Sequence, residues 1–366
     1  MAGAAFRPSG DFRTSYAADT TIFDDAFSRR FVIGLVIVLA LVPIPTVFGW
    51  GFDILDRYWM NLFVSIGYLS IAALGLNILV GFTGQISIGH SAFFGFGAFA
   101  SVFIHETTSI PVFFCIPLAG LMTAAVGLIF GVPAARIKGL YLAIATLAAQ
   151  FILQDFFARA DWFSGGTHGS VARPLEIFGY QFRSVHAYWW IVLAYVVVLF
   201  LAATNLMRSR DGRALIAVRD HYLSAEIMGV NLTKYRILSF GIASFYAGIG
   251  GALFAHHNLF VQVESFTIFF SILFLGMVII GGLGSIMGTI FGTIFITMLP
   301  EATEAVTSFM RGGAVDRALN LGGGLNYLKE MAIGLAIILF LIFEPEGLAH
   351  RWRQIKAYWK LYPFSY

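Results

Sequence analysis

The chain has 366 residues, of which 58% are hydrophobic and only 12% charged, with 38 Phe and 39 Gly. Soluble globular domains carry roughly a quarter charged residues, so this composition excludes a water-facing globular protein and calls for a surface that mostly meets lipid. A net charge of +3 says little by itself, and the single cysteine, Cys115, excludes an intrachain disulfide and a cysteine-based metal cluster.

In chain order, the apolar runs predict membrane segments at about 31–50, 58–81, 86–104, 111–132, 140–158, 187–206, 235–256, 266–283, 284–300 and 330–343. The longer ones suffice to cross a hydrocarbon core of about 30 Å. The expected fold is an all-α polytopic transmembrane bundle of about ten spans or re-entrant segments. A polar extension over 1–30 precedes a transmembrane domain over 31–348, and a tail follows over 349–366. The first apolar run follows Arg29 and Arg30, lacks a small-residue cleavage site and continues to Trp50, so it reads as a retained span rather than a signal peptide.

With both termini in the cytoplasm, 16 of the 23 basic residues fall on inside segments, among them Arg136, Arg208, Arg210, Arg213, Arg219, Lys234, Arg236 and Arg351. The positive-inside bias therefore sets the orientation. Two inside segments, 81–85 and 281–285, carry no charge and are either turns or breaks between half-helices. They resemble each other: Leu74-Gly75, Gly81, Gly84 and Ile86 are matched by Leu275-Gly276, Gly281, Gly284 and Ile286. Glycine-interrupted spans at matching places point to a transport pathway, although glycines recur in membrane helices by chance as well. Gly284, Gly288 and Gly292 form a small-residue face for close helix packing.

The inside loop 207–234 predicts one amphipathic helix over 214–228, with Leu215, Val218, Tyr222, Ala225 and Met228 at helical spacing and Gly229 ending it. Such a helix either docks into a partner or lies on the headgroups. Outside, the loop Arg159–His186 holds Ser164-Gly165-Gly166-Thr167-His168-Gly169, and 301–329 holds Gly312-Gly313 and Gly322-Gly323-Gly324. Both read as flexible connections or as contacts for a binding protein.

No phosphate-loop motif, metal-ligand spacing or nucleophile motif occurs. No enzymatic site, metal or cofactor is therefore expected, membrane lipid is a partner by composition, and no nucleic acid is expected. His256 and His257 are adjacent and so point about 100° apart; with Asn258 they read as the outer end of a span. Asp155, Glu264, Glu301, Glu304 and Glu330 fall near outer ends, and Glu344 and Glu346 at an inner end. The midplane is thus free of the carboxylates that proton-coupled carriers use, which weighs against an ion-coupled secondary transporter. The polar residues inside the apolar zone are Asn77, Gln85, Ser87, His90, Ser91 and Gln150. Hydrogen bonding between helices is the default reading for them. Lining a solute pathway is the sharper one, for which Asn77, Gln85, Ser87, His90 and Ser91 are the candidates.

The stretch from Leu76 to His90, LNILVGFTGQISIGH, resembles the signature of LivM-type permeases, membrane subunits of branched-chain amino acid ABC importers. Further support comes from Lys138–Leu147, Gly212–Asn231, Ile280–Ser285 and Phe343–Leu348, so the similarity spans about 58–348. The resemblance implies an inner-membrane importer with a second, LivH-like permease subunit, two ATP-binding subunits and a periplasmic solute-binding protein. It also implies that the loop helix is the coupling helix, with Arg219, Asp220, Ala225, Glu226, Met228 and Gly229 at the positions of the family's loop motif. Importers of urea, short amides and aromatic or other carboxylates share the superfamily. Three features depart from the pattern: His168 where relatives usually carry Asn or Asp, the length of 301–329, and the extension 1–30.

Overall fold

The computed structural model describes residues 26–44, 55–108, 110–137, 139–177, 180–310 and 321–361. Most of the 1–30 extension, the outer end of the first expected span, Lys138, Gly312-Gly313 and the last five residues lie outside them. The chain opens with α1 (Ala26–Leu41) and α2 (Arg57–Asn77), which runs into a π-turn over Ile78–Phe82. Next come α3 (His90–Thr108), α4 (Val112–Ala134), α5 (Leu140–Arg159) and α6 (Val185–Arg208). A loop pair, α7 (Arg210–Asp220) and α8 (Tyr222–Ile227), leads into α9 (Leu232–Asn258). The chain ends with α10 (Ile268–Gly281), α11 (Ile286–Met310), α12 (Leu321–Phe343) and α13 (Leu348–Leu361). Among the described residues, seven helices are long and apolar enough to cross a membrane, or eight if the α12–α13 pair, bent by 51°, is one span.

At the centre stands α9, packed against α4, α3 and α2. Its run Ala247-Gly248-Ile249-Gly250-Gly251-Ala252 explains why three helices can approach one. A Cβ on Gly248 would strike Thr123 of α4, one on Gly251 would strike Phe94 O of α3, and one on Gly250 would come within 2.8 Å of Tyr68 O of α2. Lipid chains are as apolar as leucine, so close backbone packing of this kind takes the place of a hydrophobic driving force between membrane helices. Around α9 the aromatic rings of Tyr68, Phe94, Phe254, Phe266, Phe270 and Phe274 meet edge-on or tilted. The expected small-residue face of α11 is real: Gly288 and Gly292 lie against the backbone of Gly281 and Met277 in α10.

Several expectations need correction. The loop 207–234 holds two helices rather than one, because His221 adopts an extended conformation (φ −155°, ψ 86°) and its ring Nδ1 caps α8 by accepting from Ser224 N. Gly229 does end the segment, with φ +87°, a conformation in which any side chain is strained. Gly322-Gly323-Gly324 lie in α12 rather than in a loop. The tail folds from Leu348 as α13. The loop 159–186 is built rather than slack. Its Gly165, Gly166 and Gly169 all take positive φ, and β1 (Ser170–Val171) pairs antiparallel with β4 (Phe260–Val261) after α9. A second small ribbon joins β2 (Glu176–Ile177) to β3 (Tyr180–Gln181).

His256 and His257 do diverge at the end of α9. His256 donates from Nδ1 to Arg173 O and accepts at Nε2 from Ser101 Oγ, both at 2.8 Å. His257 turns away to Asn61 of α2, 3.2 Å from its Oδ1.

Candidate functional site

The two glycine breaks resemble each other in sequence but fold differently. Gly282–Ser285 is a tight turn between α10 and α11, made possible by positive φ at Gly282 (+114°) and Gly284 (+75°). The first break instead unwinds. After the π-turn closes at Thr83 and Gly84 (φ +71°), residues 85–89 run on without helix, burying Gln85, Ser87 and Gly89 while Gly84 and Ile86 face outward.

This stretch climbs into the bundle. It leaves from the end that carries α7 and α8, where α5 also begins. Thr146 and Gln150 lie six and ten residues along α5, so about 9 and 15 Å from that end. Ile88 N donates to Thr146 Oγ1 at 3.0 Å, and Ala92 N to Gln150 Oε1 at 2.9 Å. Thus α3 starts at roughly half the depth of a hydrocarbon core of about 30 Å. Irregular backbone at such depth is tolerated only where protein buries it or where it lines a water-filled space. On its outward side the stretch leaves Ile86 43% exposed within this chain.

At the same depth α10 begins, running back toward the α7–α8 end while α3 runs away from it. Gln150 ties the two starts together. Its Nε2 donates to Phe266 O at 2.7 Å, and its Oε1 accepts from Ala92 N, from Ser91 Oγ and from Ser271 Oγ. The one hydroxyl proton of Ser91 is shared between Gln150 Oε1 at 3.1 Å and Thr267 O at 2.8 Å, and its backbone N donates to Ser271 Oγ at 2.9 Å.

All five candidate pathway residues are buried. Asn77 accepts at Oδ1 from Gly284 N (2.9 Å) and donates from Nδ2 to Ser285 O (2.8 Å) and Thr289 Oγ1 (2.7 Å), joining the two breaks. Gln85 donates from Nε2 to Ser239 Oγ at 2.6 Å. His90 faces a carbonyl, Ala72 O at 2.8 Å, so its Nε2 carries the proton, and its ring edge meets Phe274. Ser91 belongs to the Gln150 knot. Gln85 Oε1 and Ser87 Oγ are buried with no hydrogen-bond partner among the described residues. Such atoms cost about 1–3 kcal/mol each in a structural role, which singles these two out from the satisfied set.

The loop residues divide into an inward and an outward group. Leu215, Val218 and Ala225 are buried, seating the two helices on the bundle, whereas Ile227 and Met228 are 85% and 84% exposed, with Leu223 beside them. The predicted apolar stripe therefore splits: Met228 and, in part, Tyr222 turn out rather than in. Arg219 reaches the other way, donating from Nη1 to Gly81 O at 2.6 Å and from Nε to Asp220 Oδ1 at 2.8 Å. Glu226 and Gly229 lie on the exposed rim. An open apolar groove of about 520 Å³ between α11 and α13, lined by Phe291, Phe295, Leu299, Trp352 and Ile355 among others, gathers none of these residues.

A family model described as the permease component of the branched-chain amino acid transport system matches residues 58–341, most of the chain. The chain belongs to this family. Among its relatives are the high-affinity branched-chain amino acid transport system permease proteins LivM of Salmonella typhimurium and Escherichia coli. Each is 29% identical over 303 residues, covering 76% of this chain and 67% of the relative. A probable branched-chain amino acid transport permease protein LivM of Methanocaldococcus jannaschii is 26% identical over 236 residues, 63% of this chain and 66% of that one. No solved structure matches significantly. The protein is accordingly a multi-pass membrane permease of the LivM type.

Three participants of this permease's site escape a reading by motif. Gln150 gave a signal, a lone amide in an apolar run, but not its partners. Ser271 sits unmarked among Phe and Leu residues. The glycine run of α9 was visible as composition only.

Proposed function

We infer that this chain is one membrane subunit of a heteromeric ABC importer of the bacterial inner membrane. With a second permease it forms the pathway for branched-chain amino acids delivered by a periplasmic binding protein, and separate ATPase subunits drive it. The observation that carries this reading is the uncovered apolar rim of α8. Leu223, Ile227 and Met228 are exposed at the end of the bundle richest in Arg, while Leu215, Val218 and Ala225 seat the loop on the chain. A helix that merely floated on headgroups would not also be anchored through its inner face. A docking helix needs both faces, one to receive force and one to pass it on. The basic residues clustered at that end support a cytoplasmic position for it by the positive-inside rule.

Within the pathway, the outward side of 83–89, at Gly84 and Ile86, faces the route or the second permease, and Gln85 Oε1 and Ser87 Oγ, turned inward on the same stretch, meet solute only when that stretch moves. Family membership favours branched-chain amino acids. Urea, short amides and aromatic or other carboxylates are the alternative solutes, since selection rests largely with the binding protein.

The test is to tag the chain, extract it gently and identify what co-purifies. Two ATPases and a second permease are expected with the parent, and the ATPases are expected to be lost from Ile227→Asp. A chain that transports alone with an ion gradient would sink the reading in favour of a secondary carrier.

A further inference from the structure

A short chain of polar contacts joins the loop to both breaks. Arg219 stands at the end of α7, and its guanidinium is held from one side by Asp220 while Nη1 donates to Gly81 O. Gly81 lies in the π-turn, where the backbone leaves the α-helical ladder just before the non-helical stretch. Asn77, one turn earlier, bridges to Gly284 N, Ser285 O and Thr289 Oγ1. Glycine is what lets these parts meet. A Cβ on Gly81 would strike Asn77 Oδ1 and Gly284 N, and one on Gly284 would come within 2.9 Å of Arg219 Nη1. The two breaks, distant in sequence, are thus one contact in space, and a single loop side chain bears on it.

We propose that Arg219 is the positioning residue that carries displacement of the loop helices into the membrane, by holding Gly81 and, through Asn77, the Gly284 turn. The inference rests on the reading of α8 as the ATPase-docking element and assigns the next link inward. A charge-assisted hydrogen bond at 2.6 Å is short and strong. Leu215 and Val218 fix α7 to the bundle, so Arg219 follows the loop without slack. The π-turn and the non-helical residues beyond it are where backbone can swing without breaking a helix. Arg219 therefore pulls at the point of least resistance.

The test uses the whole transporter in membrane vesicles, with leucine as probe solute. Uptake, ATP hydrolysis and ATPase retention by the tagged chain are measured together. Arg219→Met is expected to keep the ATPases and their hydrolysis while uptake per ATP falls roughly tenfold, the scale of one lost charge-assisted hydrogen bond. Arg219→Lys, which keeps one donor for Gly81 O, is expected to recover most of the coupling, a rescue that a purely packing role would not give. Should Arg219→Met fail to accumulate, Asn77→Asp tests the same chain further in: coupling falls while ATPase retention holds. Unchanged uptake per ATP in these variants overturns the proposal, as does loss of the ATPases from Arg219→Met to the extent seen in Ile227→Asp. A parent chain that retains no ATPase refutes the docking reading itself, which distinguishes that failure from failure of the Arg219 link.

Discussion

Gln150→Leu is the perturbation that asks most of the structure. Leucine fills nearly the same volume, so no large cavity opens, and the change isolates the hydrogen bonds. Two are lost outright, from Ala92 N to Oε1 and from Nε2 to Phe266 O, and Oε1 no longer shares the Ser91 and Ser271 hydroxyl protons. Ser91 and Ser271 remain bonded to each other and to Thr267 O, so their loss is partly made good. Ala92 N is left unpaired in a fully buried place. At about 0.6 kcal/mol for an average hydrogen bond in a membrane protein, and about 1–3 kcal/mol for the orphaned N–H, the expected destabilisation is about 3 kcal/mol. That is more than a hundredfold in the unfolding equilibrium. The assay is denaturant unfolding of the purified protein in mild detergent, followed by loss of helicity. Ser70→Ala serves as reference, because it removes one buried bond within a single helix, to Ile66 O, and should cost under about 1 kcal/mol. If Gln150→Leu unfolds together with Ser70→Ala, the starts of α3 and α10 are not held by Gln150, and the argument for the mid-depth junction fails.

Other substitutions probe the packing, the loop and the pathway. Gly251→Val should strike Phe94 O and push α9 off α3, so the membrane-inserted amount on a blot is expected to fall several-fold; normal amounts would refute the close-approach argument. Glu226→Arg and Gly229→Trp, on the exposed rim of the loop, should each abolish uptake while the chain stays in the membrane at parental level, and retained uptake in both would remove the coupling role from α8. Ser87→Ala removes an unpaired buried hydroxyl, so it should leave thermal stability within about 1 kcal/mol of the parent while altering KM for leucine; a stability loss with unchanged KM would make Ser87 a packing residue.

The class of protein, the helical bundle and the close α10–α11 packing could all be read from the chain itself. A deficit of charge and the period of apolar residues are local properties, and lipid imposes helices on them. The LNILVGFTGQISIGH stretch and its companions likewise carried the family, because a motif is a linear pattern. Gly229 was legible as a helix end for the same reason, since positive φ is a property of one residue. What sequence could not decide was how two similar glycine breaks would differ. One is a four-residue turn and the other a non-helical climb to mid-depth, because only the first break has Thr146 and Gln150 of α5 beside it to pair with its freed backbone. The same holds for the loop, where apolar spacing fits one helix but His221 breaks it to seat Leu215 and Ala225 while turning Ile227 and Met228 outward. Nor could spacing reveal that Arg219, Gly81, Asn77 and Gly284 meet. Hydrogen bonds across more than a hundred residues depend on which helices the glycines of α9, α10 and α11 allow to touch, and that is decided by three-dimensional packing alone.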